Sequence, residues 1–113
     1  MATPTLKPGD VVLAHTRGAV VAKNRPSIVL TTDLYHKLHI DVVVALVTTQ
    51  LWQATTPTDY VLQDWAAAGL HSPSAVRIYL DTTLAASVRR IGHLSDRDWL
   101  EVQARMRLAL AVT

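Results

Sequence analysis

Short apolar runs separated by turn residues fill most of this chain, and one helical repeat closes it. Each run is four to eight residues long and rich in β-branched side chains, which is typical of β-strands. The runs are VVLAH (11–15), SIVLTT (27–32), VVVALVTT (42–49), YVLQ (60–63), SAVRIYL (74–80) and SVRRIGHL (87–94). Strands followed by a single helix predict a mainly β (α+β) fold, a small twisted sheet or barrel with a helix packed on it.

The closing segment predicts a helix over residues 96–111. Ser95, with Asp98 three residues later, resembles a capping box at its start. Glu101 and Arg105 are spaced to pair on the solvent side. The opposite stripe of the helix, expected to pack on the sheet, contains Trp99, Val102, Met106, Ala109 and Leu110.

The segments between the runs are predicted as connections. Residues 1–8 form a loose N-terminus that ends at Pro8 and Gly9. TRGAVVAKN (16–24) is predicted as a loop, TDLYHKLHID (32–41) as a connection, and DWAAAGL (64–70) as a turn or half-helix closed by Gly69. The run 42–49 is expected to be central and covered on both faces. At 113 residues the chain is expected to form one domain, 1–113.

Composition excludes several classes of protein. Cysteine is absent, which excludes disulfides, thiolate zinc sites and a thiol nucleophile, and which suits a reducing compartment. The longest apolar run is Val42 to Val47, far short of the ~20 residues needed to span a bilayer, and the first residues do not resemble a signal peptide. A cytoplasmic protein without a membrane partner is therefore expected.

Common catalytic motifs are missing from the chain. There is no glycine-rich phosphate loop, no GxSxG and no HExxH, and no cofactor or metal is predicted. His36 and His39 form an HxxH pair that could aim at a metal, but no third ligand is nearby in sequence. A ribonuclease using two of the five histidines as acid and base stays open, although no spacing singles out a pair.

A basic segment precedes the second predicted strand. Arg17, Lys23 and Arg25 lie within nine residues that contain no acid, with Asn24 among them. An arginine can bind a phosphate through two parallel hydrogen bonds, and Pro26 holds Arg25 in an extended conformation. The segment is therefore a candidate RNA-binding surface. A solvated basic loop is the alternative.

Polar residues follow the central apolar run. Thr48, Thr49 and Gln50 offer two hydroxyls and an amide that could orient a phosphate or a ribose, and Trp52 could stack on an unpaired base. The alternative is β-propensity for the threonines and core packing for Trp52.

Six segments follow one another in a characteristic order: GDVVLA, NRPSIVL, VVVALVTTQ, DYVLQDWAAAGL, SPSAVR and RRIGHLSDRDW. Together with the closing helix they span about Gly9 to Leu110. In this order they resemble the MazF/PemK toxins of bacterial toxin–antitoxin pairs, particularly the PemK-like branch. The resemblance implies a strongly twisted antiparallel sheet or SH3-like barrel with a C-terminal helix, assembled as a homodimer. It also implies a cognate antitoxin protein whose disordered acidic segment occupies the RNA groove.

The resemblance further implies a metal-independent endoribonuclease that cuts single-stranded RNA at short sequences. The ribose 2′-hydroxyl would attack the adjacent phosphate and leave 2′,3′-cyclic phosphate and 5′-hydroxyl ends. The essential arginine and threonine of the family correspond to Arg25 and Thr48. Arg77 and Arg89 match family positions at which structural ion pairing is expected.

The chain departs from its relatives in the segment GAVVA (18–22), which is polar in many of them, and at Leu46 and Thr49, which are commonly proline and serine. These changes bear on which RNA sequence is recognised. Two alternatives stay open. Gyrase-blocking toxins share this fold, although they rely on a Trp-Gly-Ile ending and this chain ends in LALAVT. A relative that binds RNA without cutting it is the other.

Overall fold

The computed structural model describes residues 5–17 and 22–112, with side chains over 5–15 and 24–112. The strands are β1 Asp10–Arg17, β2 Ala22–Val29, β3 Asp41–Thr48, β4 Tyr60–Val61, β5 Ala75–Leu84 and β6 Arg89–His93. The helices are α1 Asp33–Leu38 and α2 Asp96–Ala109, and two 3₁₀ turns cover Leu51–Gln53 and Ala85–Ser87. No helix in these ranges has the length and apolar character needed to cross a membrane.

The six strands form one antiparallel sheet in the order β4-β5-β3-β2-β1-β6. Register shifts interrupt the β1–β6 ladder between Val11 and Val12 and the β3–β5 ladder between Ala45 and Leu46. Such irregularities bend strands and increase their twist. The predicted fold class, a small twisted antiparallel sheet with a C-terminal helix, is confirmed.

The sheet buries apolar side chains on both faces, since neighbouring residues of a strand point to opposite sides. On one face, Val11, Ile28 and Ala45 pack with Val102 of α2. On the other, Val12, Val29 and Val44 pack with Leu6 and with Ala85 of the second 3₁₀ turn. Val44 and Ala45 of β3 belong to different clusters, which confirms that this central strand is covered on both faces. Leu6, inside the segment predicted to be loose, is buried.

Helix α2 begins as predicted and ends at Ala109 instead of residue 111. Ser95 Oγ accepts the backbone N–H of Asp98 at 3.3 Å, which confirms the Ser95 half of the predicted capping box, but the Asp98 carboxylate does not bond back to the Ser95 N–H. The Asp98 carboxylate turns away from the helix end because it accepts hydrogen bonds from Tyr60, Gln63 and Asp64. The Glu101–Arg105 pair is confirmed at 3.5 Å.

The packing stripe of α2 is confirmed in its first half only. Val102 is buried and Trp99 is half-buried, whereas Ala109 and Leu110 are exposed. Leu110 has left the helical conformation, with φ −109° and ψ 141°, so it no longer continues the stripe.

The hairpin formed by β1 and β2 differs from the prediction of a loop over 16–24. The antiparallel ladder of the two strands continues to the pairs Thr16–Lys23 and Arg17–Ala22, so these residues belong to strands and not to a loop. The strand predicted over 27–32 therefore starts earlier and ends at Val29.

The other connections are closer to the prediction. The segment 32–41 contains α1, capped by Thr32 Oγ1, which accepts the N–H of Tyr35 at 3.2 Å. The strand predicted over 60–63 is limited to Tyr60 and Val61, since Gln63 and Asp64 donate their N–H groups to Asp98 instead of to a strand. The turn 64–70 is confirmed, with Gly69 at φ 89°.

Candidate active site

Arg25 and Thr48 occupy facing positions of two neighbouring strands. The β2–β3 ladder runs from Val29 opposite Val44 to Ser27 opposite Leu46, and the same register two residues further places Arg25 opposite Thr48. The strand pairing ends at Ser27 and Leu46 because Pro26 has no N–H to donate. Facing residues of antiparallel strands share a sheet face, so both side chains lie on the face away from α2.

Arg25 and Thr48 belong to a row of four facing residues across β1, β2, β3 and β5, and the two outer residues of this row are small. Arg25 pairs with Ala14 of β1 on its other side, and Thr48 pairs with Ala75 of β5. Both alanines are fully buried. Their short side chains leave lateral space for the long arginine, so the row holds one cation and one hydroxyl between two methyl groups.

The guanidinium of Arg25 has an unused donor. Its Nε is buried and makes no hydrogen bond, as is also true of Arg105 Nε. Arg105, however, bonds Pro57 and Glu101 through its Nη atoms, whereas no ion pair with Arg25 exists in the described parts of the chain. Buried polar atoms in proteins nearly always have partners, so an orphaned donor calls for an explanation. An anion bound at this row would supply the missing acceptor.

The hydroxyl of Thr48 is already oriented. Thr48 Oγ1 accepts the backbone N–H of Gln50 at 3.1 Å, which fixes the oxygen at the end of β3. This contact uses a lone pair of the oxygen and leaves the O–H free to donate. Arg25 and Thr48 can therefore both donate to one anionic group.

The remaining polar residues after β3 lie at the surface. Thr49 and Gln50 are exposed, and Trp52 on the first 3₁₀ turn is 74% exposed. Core packing, the alternative for Trp52, is therefore wrong. An exposed indole at the end of the strand that carries Thr48 is available to a planar ligand.

For the predicted basic residues Arg17 and Lys23, the structure describes the backbone only. Arg17 ends β1 and Lys23 lies opposite Thr16 in β2, but their side chains lie outside the described part of the structure. Asn24 precedes Arg25 in the strand and so belongs to the opposite sheet face. Its Oδ1 lies 3.3 Å from Nδ1 of His15. The structure therefore does not bring Asn24 and Arg25 together.

Arg77 forms the expected structural ion pair. Its Nε donates to Asp59 Oδ1 at 3.2 Å, and Thr56 donates to Asp59 Oδ2 through both its N–H and its hydroxyl. Burial alone would raise the pKa of Asp59, but the hydrogen bonds from Thr56 and Arg77 outweigh it and hold that pKa below its usual range. Arg89, in contrast, is exposed and has no ion pair in the described ranges.

Tyr79 is a residue that the sequence reasoning missed. Its ring lies over the Arg77 guanidinium, with 4.4 Å from Cζ to the ring centroid. In a regular strand the R-I-Y spacing places residues 77 and 79 on one side, and this was the available signal, although the register shift between β5 and β3 falls at these residues.

The histidine pair His36 and His39, in α1 and just after it, is occupied by structural contacts. The ring nitrogens of His36 lie 2.6 Å from Thr31 Oγ1 and 3.1 Å from the Leu6 carbonyl oxygen. The His39 ring stacks on Tyr35 with centroids 4.3 Å apart. In the ranges that the structure covers, no three His, Cys, Asp or Glu side chains converge as a metal site would require.

Comparison with known proteins identifies the family. The family model of the PemK-like, MazF-like toxins of type II toxin–antitoxin systems matches residues 7–110. This chain belongs to that family. The match covers all the strands, both helices and the Arg25–Thr48 row of this MazF-like toxin.

Solved structures agree with the fold of the MazF-like toxin. The Mycobacterium tuberculosis toxin MazF-mt6 is 23% identical over 92% of this chain and 98% of its own, with a TM-score of 0.75. An endoribonuclease in complex with its cognate antitoxin from a mycobacterial species is 16% identical over 96% and 98%, with a TM-score of 0.77. A MazE–MazF complex of Deinococcus radiodurans is 16% identical over the whole of both chains, with a TM-score of 0.72. No curated protein sequence matches the chain.

Proposed function

We propose that this MazF-like toxin is a sequence-specific endoribonuclease that cleaves single-stranded RNA by attack of a ribose 2′-hydroxyl on the adjacent phosphate. The observation that carries the proposal is the buried, unpartnered Nε of Arg25 in the position facing Thr48. A scissile phosphate seated over this row would satisfy the orphaned donor and accept from the threonine hydroxyl. Two of the similar structures are named as endoribonucleases, which supports RNA cleavage as the activity.

In the proposed reaction the 2′-oxygen forms a new bond to phosphorus while the bond from phosphorus to the 5′-oxygen breaks. The 2′-hydroxyl loses its proton and the departing 5′-oxygen gains one, which gives 2′,3′-cyclic phosphate and 5′-hydroxyl ends. Negative charge gathers on the phosphoryl oxygens in the transition state. Arg25 stabilises that charge, and such preorganised donors are typically worth ~10²–10³ in rate. Arg25 is not assigned the proton transfer, because a guanidinium stays protonated in proteins.

Thr48 has the positioning role in this proposal. Because Gln50 N–H fixes its oxygen, the hydroxyl proton can donate to a phosphoryl oxygen and hold the phosphate in line for attack. Trp52 would stack on an unpaired base, and Thr49 and Gln50 would contact the neighbouring nucleotide. Arg17 and Lys23 would follow the RNA backbone as it leaves the row.

We also propose an antitoxin protein as the regulatory partner and a homodimer as the assembly. Similar structures that contain toxin and antitoxin together support the first. An exposed apolar cluster supports the second, and it consists of Leu34, Leu38, Ile40 and Leu84. This α1 cluster borders a cleft of about 820 Å³, in which Lys7 and Asp33 pair with each other at 3.0 Å and Lys37 is the remaining charged residue of the lining. Two such patches related by a twofold axis would cover one another.

Incubation with a long unstructured RNA in excess EDTA tests the proposed reaction. We expect discrete cuts that share a short sequence, with ends that polynucleotide kinase can phosphorylate directly because they are 5′-hydroxyls. RNA that stays intact in EDTA and also with added Mg²⁺ would contradict the proposal. Inhibition of DNA gyrase by the same protein would then support the binding toxin instead.

A further inference from the structure

Tyr79 presents one face of its ring to solvent while a cation covers the other. The ring is 58% exposed, because β4 pairs with β5 only at Ala75 and Val76 and Tyr79 lies beyond that pairing, at the register shift between β5 and β3. Arg77 lies against it at 4.4 Å, within the range of a cation–π contact. An aromatic ring backed by a cation is a suitable surface for a second planar π system.

The cation behind Tyr79 is held in place by a chain of contacts. The Arg77 side chain is only 15% exposed, and its Nε is bonded to the buried carboxylate of Asp59. Asp59 is in turn held by two hydrogen bonds from Thr56. These contacts hold Arg77, and so restrain the Tyr79 ring, before any ligand arrives. The restraint lowers the entropic cost of binding a ligand against the ring.

The sheet register places Tyr79 close to the candidate active site. Arg77 faces Leu46 across β5 and β3, and Leu46 faces Ser27 of β2. This row is adjacent to the Arg25–Thr48 row and on the same sheet face. From strand spacing and rise, the Arg77 backbone lies roughly 12 Å from that of Arg25. The Tyr79 ring lies over Arg77, so it is within reach of a nucleotide flanking a phosphate held at Arg25.

We propose that Tyr79 is a base-stacking residue that binds an unpaired base of the RNA flanking the scissile phosphate. The inference rests on the proposed endoribonuclease function and adds a recognition residue to it. Stacking needs only the π face of the ring, so it tolerates the loss of the tyrosine hydroxyl. Its contribution, judged from base–aromatic stacking elsewhere, is about 5- to 100-fold in affinity.

The test measures binding of a short RNA that contains the mapped cleavage sequence, with a 2′-deoxy nucleotide at the scissile position so that it cannot be cut. Tyr79→Leu should raise the Kd by about 5- to 100-fold, whereas Tyr79→Phe should stay close to wild type. Tyr35→Leu, which removes the tyrosine of α1, serves as the matched control and should leave the Kd unchanged.

A series of abasic RNAs locates the stacked base. In wild type, removal of one particular base should weaken binding as much as Tyr79→Leu does, and in Tyr79→Leu the same removal should have no further effect. Wild type that cuts RNA while Tyr79→Leu binds it equally well would overturn this inference alone. The inference would also be overturned if Tyr79→Leu changed the oligomeric mass of the protein without changing RNA binding, because the ring would then contact another protein subunit and not a base. Wild type that neither binds nor cuts RNA would overturn the proposed function itself.

Discussion

The Tyr60 hydroxyl donates a hydrogen bond to Asp98 Oδ1 at 2.6 Å and so joins β4 to the first turn of α2. Asp98 is fully buried, and it also accepts the backbone N–H groups of Gln63 at 3.1 Å and Asp64 at 2.8 Å. Burial, followed by the hydrogen bond to the Asp98 carboxylate, raises the pKa of Tyr60 to about 12. One carboxylate therefore fixes the helix, the short strand and the following turn together.

Replacement of Asp98 by alanine should destabilise the fold strongly. It leaves three donors without their acceptor in a buried site, and we expect a loss of about 3 kcal/mol in the free energy of unfolding. Urea denaturation followed by tryptophan fluorescence measures this loss. Tyr60→Phe removes one donor and should cost only about 1–2 kcal/mol. Equal losses in the two variants would contradict the role of Asp98 as the shared acceptor.

The Asp64–Arg97 ion pair should make the free energy of unfolding depend on pH in the acid range. Bidentate hydrogen bonds from Arg97, followed by one from Ser95, lower the pKa of Asp64 to about 2 from its ordinary 3.8. The pKa of Asp64 is lower in the folded state than in the unfolded state. The ionised carboxylate therefore contributes its full stabilisation to the free energy of unfolding above pH 3.8, and this stabilisation is lost as the pH falls toward 2.

Unfolding in urea at a series of pH values from neutral to acid checks this dependence. Asp64→Asn should lose part of the decline in stability that wild type shows between about pH 4 and pH 2. Asp96→Asn makes the same charge change on the first turn of α2, and it should keep the wild-type decline. A wild-type decline that is unaltered in Asp64→Asn would contradict the assignment.

The sequence predicted the strands and the last helix because alternation and helical period depend on neighbouring residues. It could not predict how Asp98 is used, since Tyr60 is 38 positions away and only the fold brings the two together. The spacing of Ser95 and Asp98 therefore indicated a capping box of which only the Ser95 half forms. The paired ends of β1 and β2 were missed for a similar reason, because cross-strand hydrogen bonds there outweigh the local signal of Gly18.

The site was predicted by a different route. Arg25 and Thr48 were paired through the family resemblance, because no sequence pattern connects residues on separate strands. The β2–β3 register now gives a physical reason, because its extension by two residues beyond Ser27 and Leu46 sets Arg25 opposite Thr48. Tyr79 was missed because its function depends on Arg77 and Asp59, which meet only in the folded sheet.

The α1 cluster should determine the assembly state. Ile40 is the most exposed member of the cluster at 77%, so Ile40→Lys would place a charge against its own copy across a twofold axis. We expect a dimer for wild type and a monomer for Ile40→Lys in sedimentation equilibrium. Leu108→Lys, an equivalent change on the exposed side of α2, should leave the dimer intact. A monomeric wild type, or a dimer lost only in Leu108→Lys, would exclude this interface.

Binding of RNA should weaken as salt is added. Each phosphate contact releases counterions, and for single strands the slope of log K against log salt falls by about 0.7 per contact. Lys23→Gln should therefore reduce the slope by about 0.7, while Lys37→Gln on α1 should not change it. Fluorescence anisotropy with the uncleavable RNA provides the measurement. An affinity independent of salt would show that the basic segment does not contact RNA.

The role of Arg25 is tested most directly by single-turnover cleavage of an RNA that contains the mapped sequence. Arg25→Ala is compared with Arg107→Ala, which removes an exposed arginine of α2, and both variants are first shown to unfold at the wild-type urea concentration. We predict that Arg25→Ala lowers the rate by about 10²–10³ and that Arg107→Ala leaves it unchanged. A folded Arg25→Ala variant that cuts within about threefold of the wild-type rate would contradict the account, since the transition-state charge would then be stabilised elsewhere.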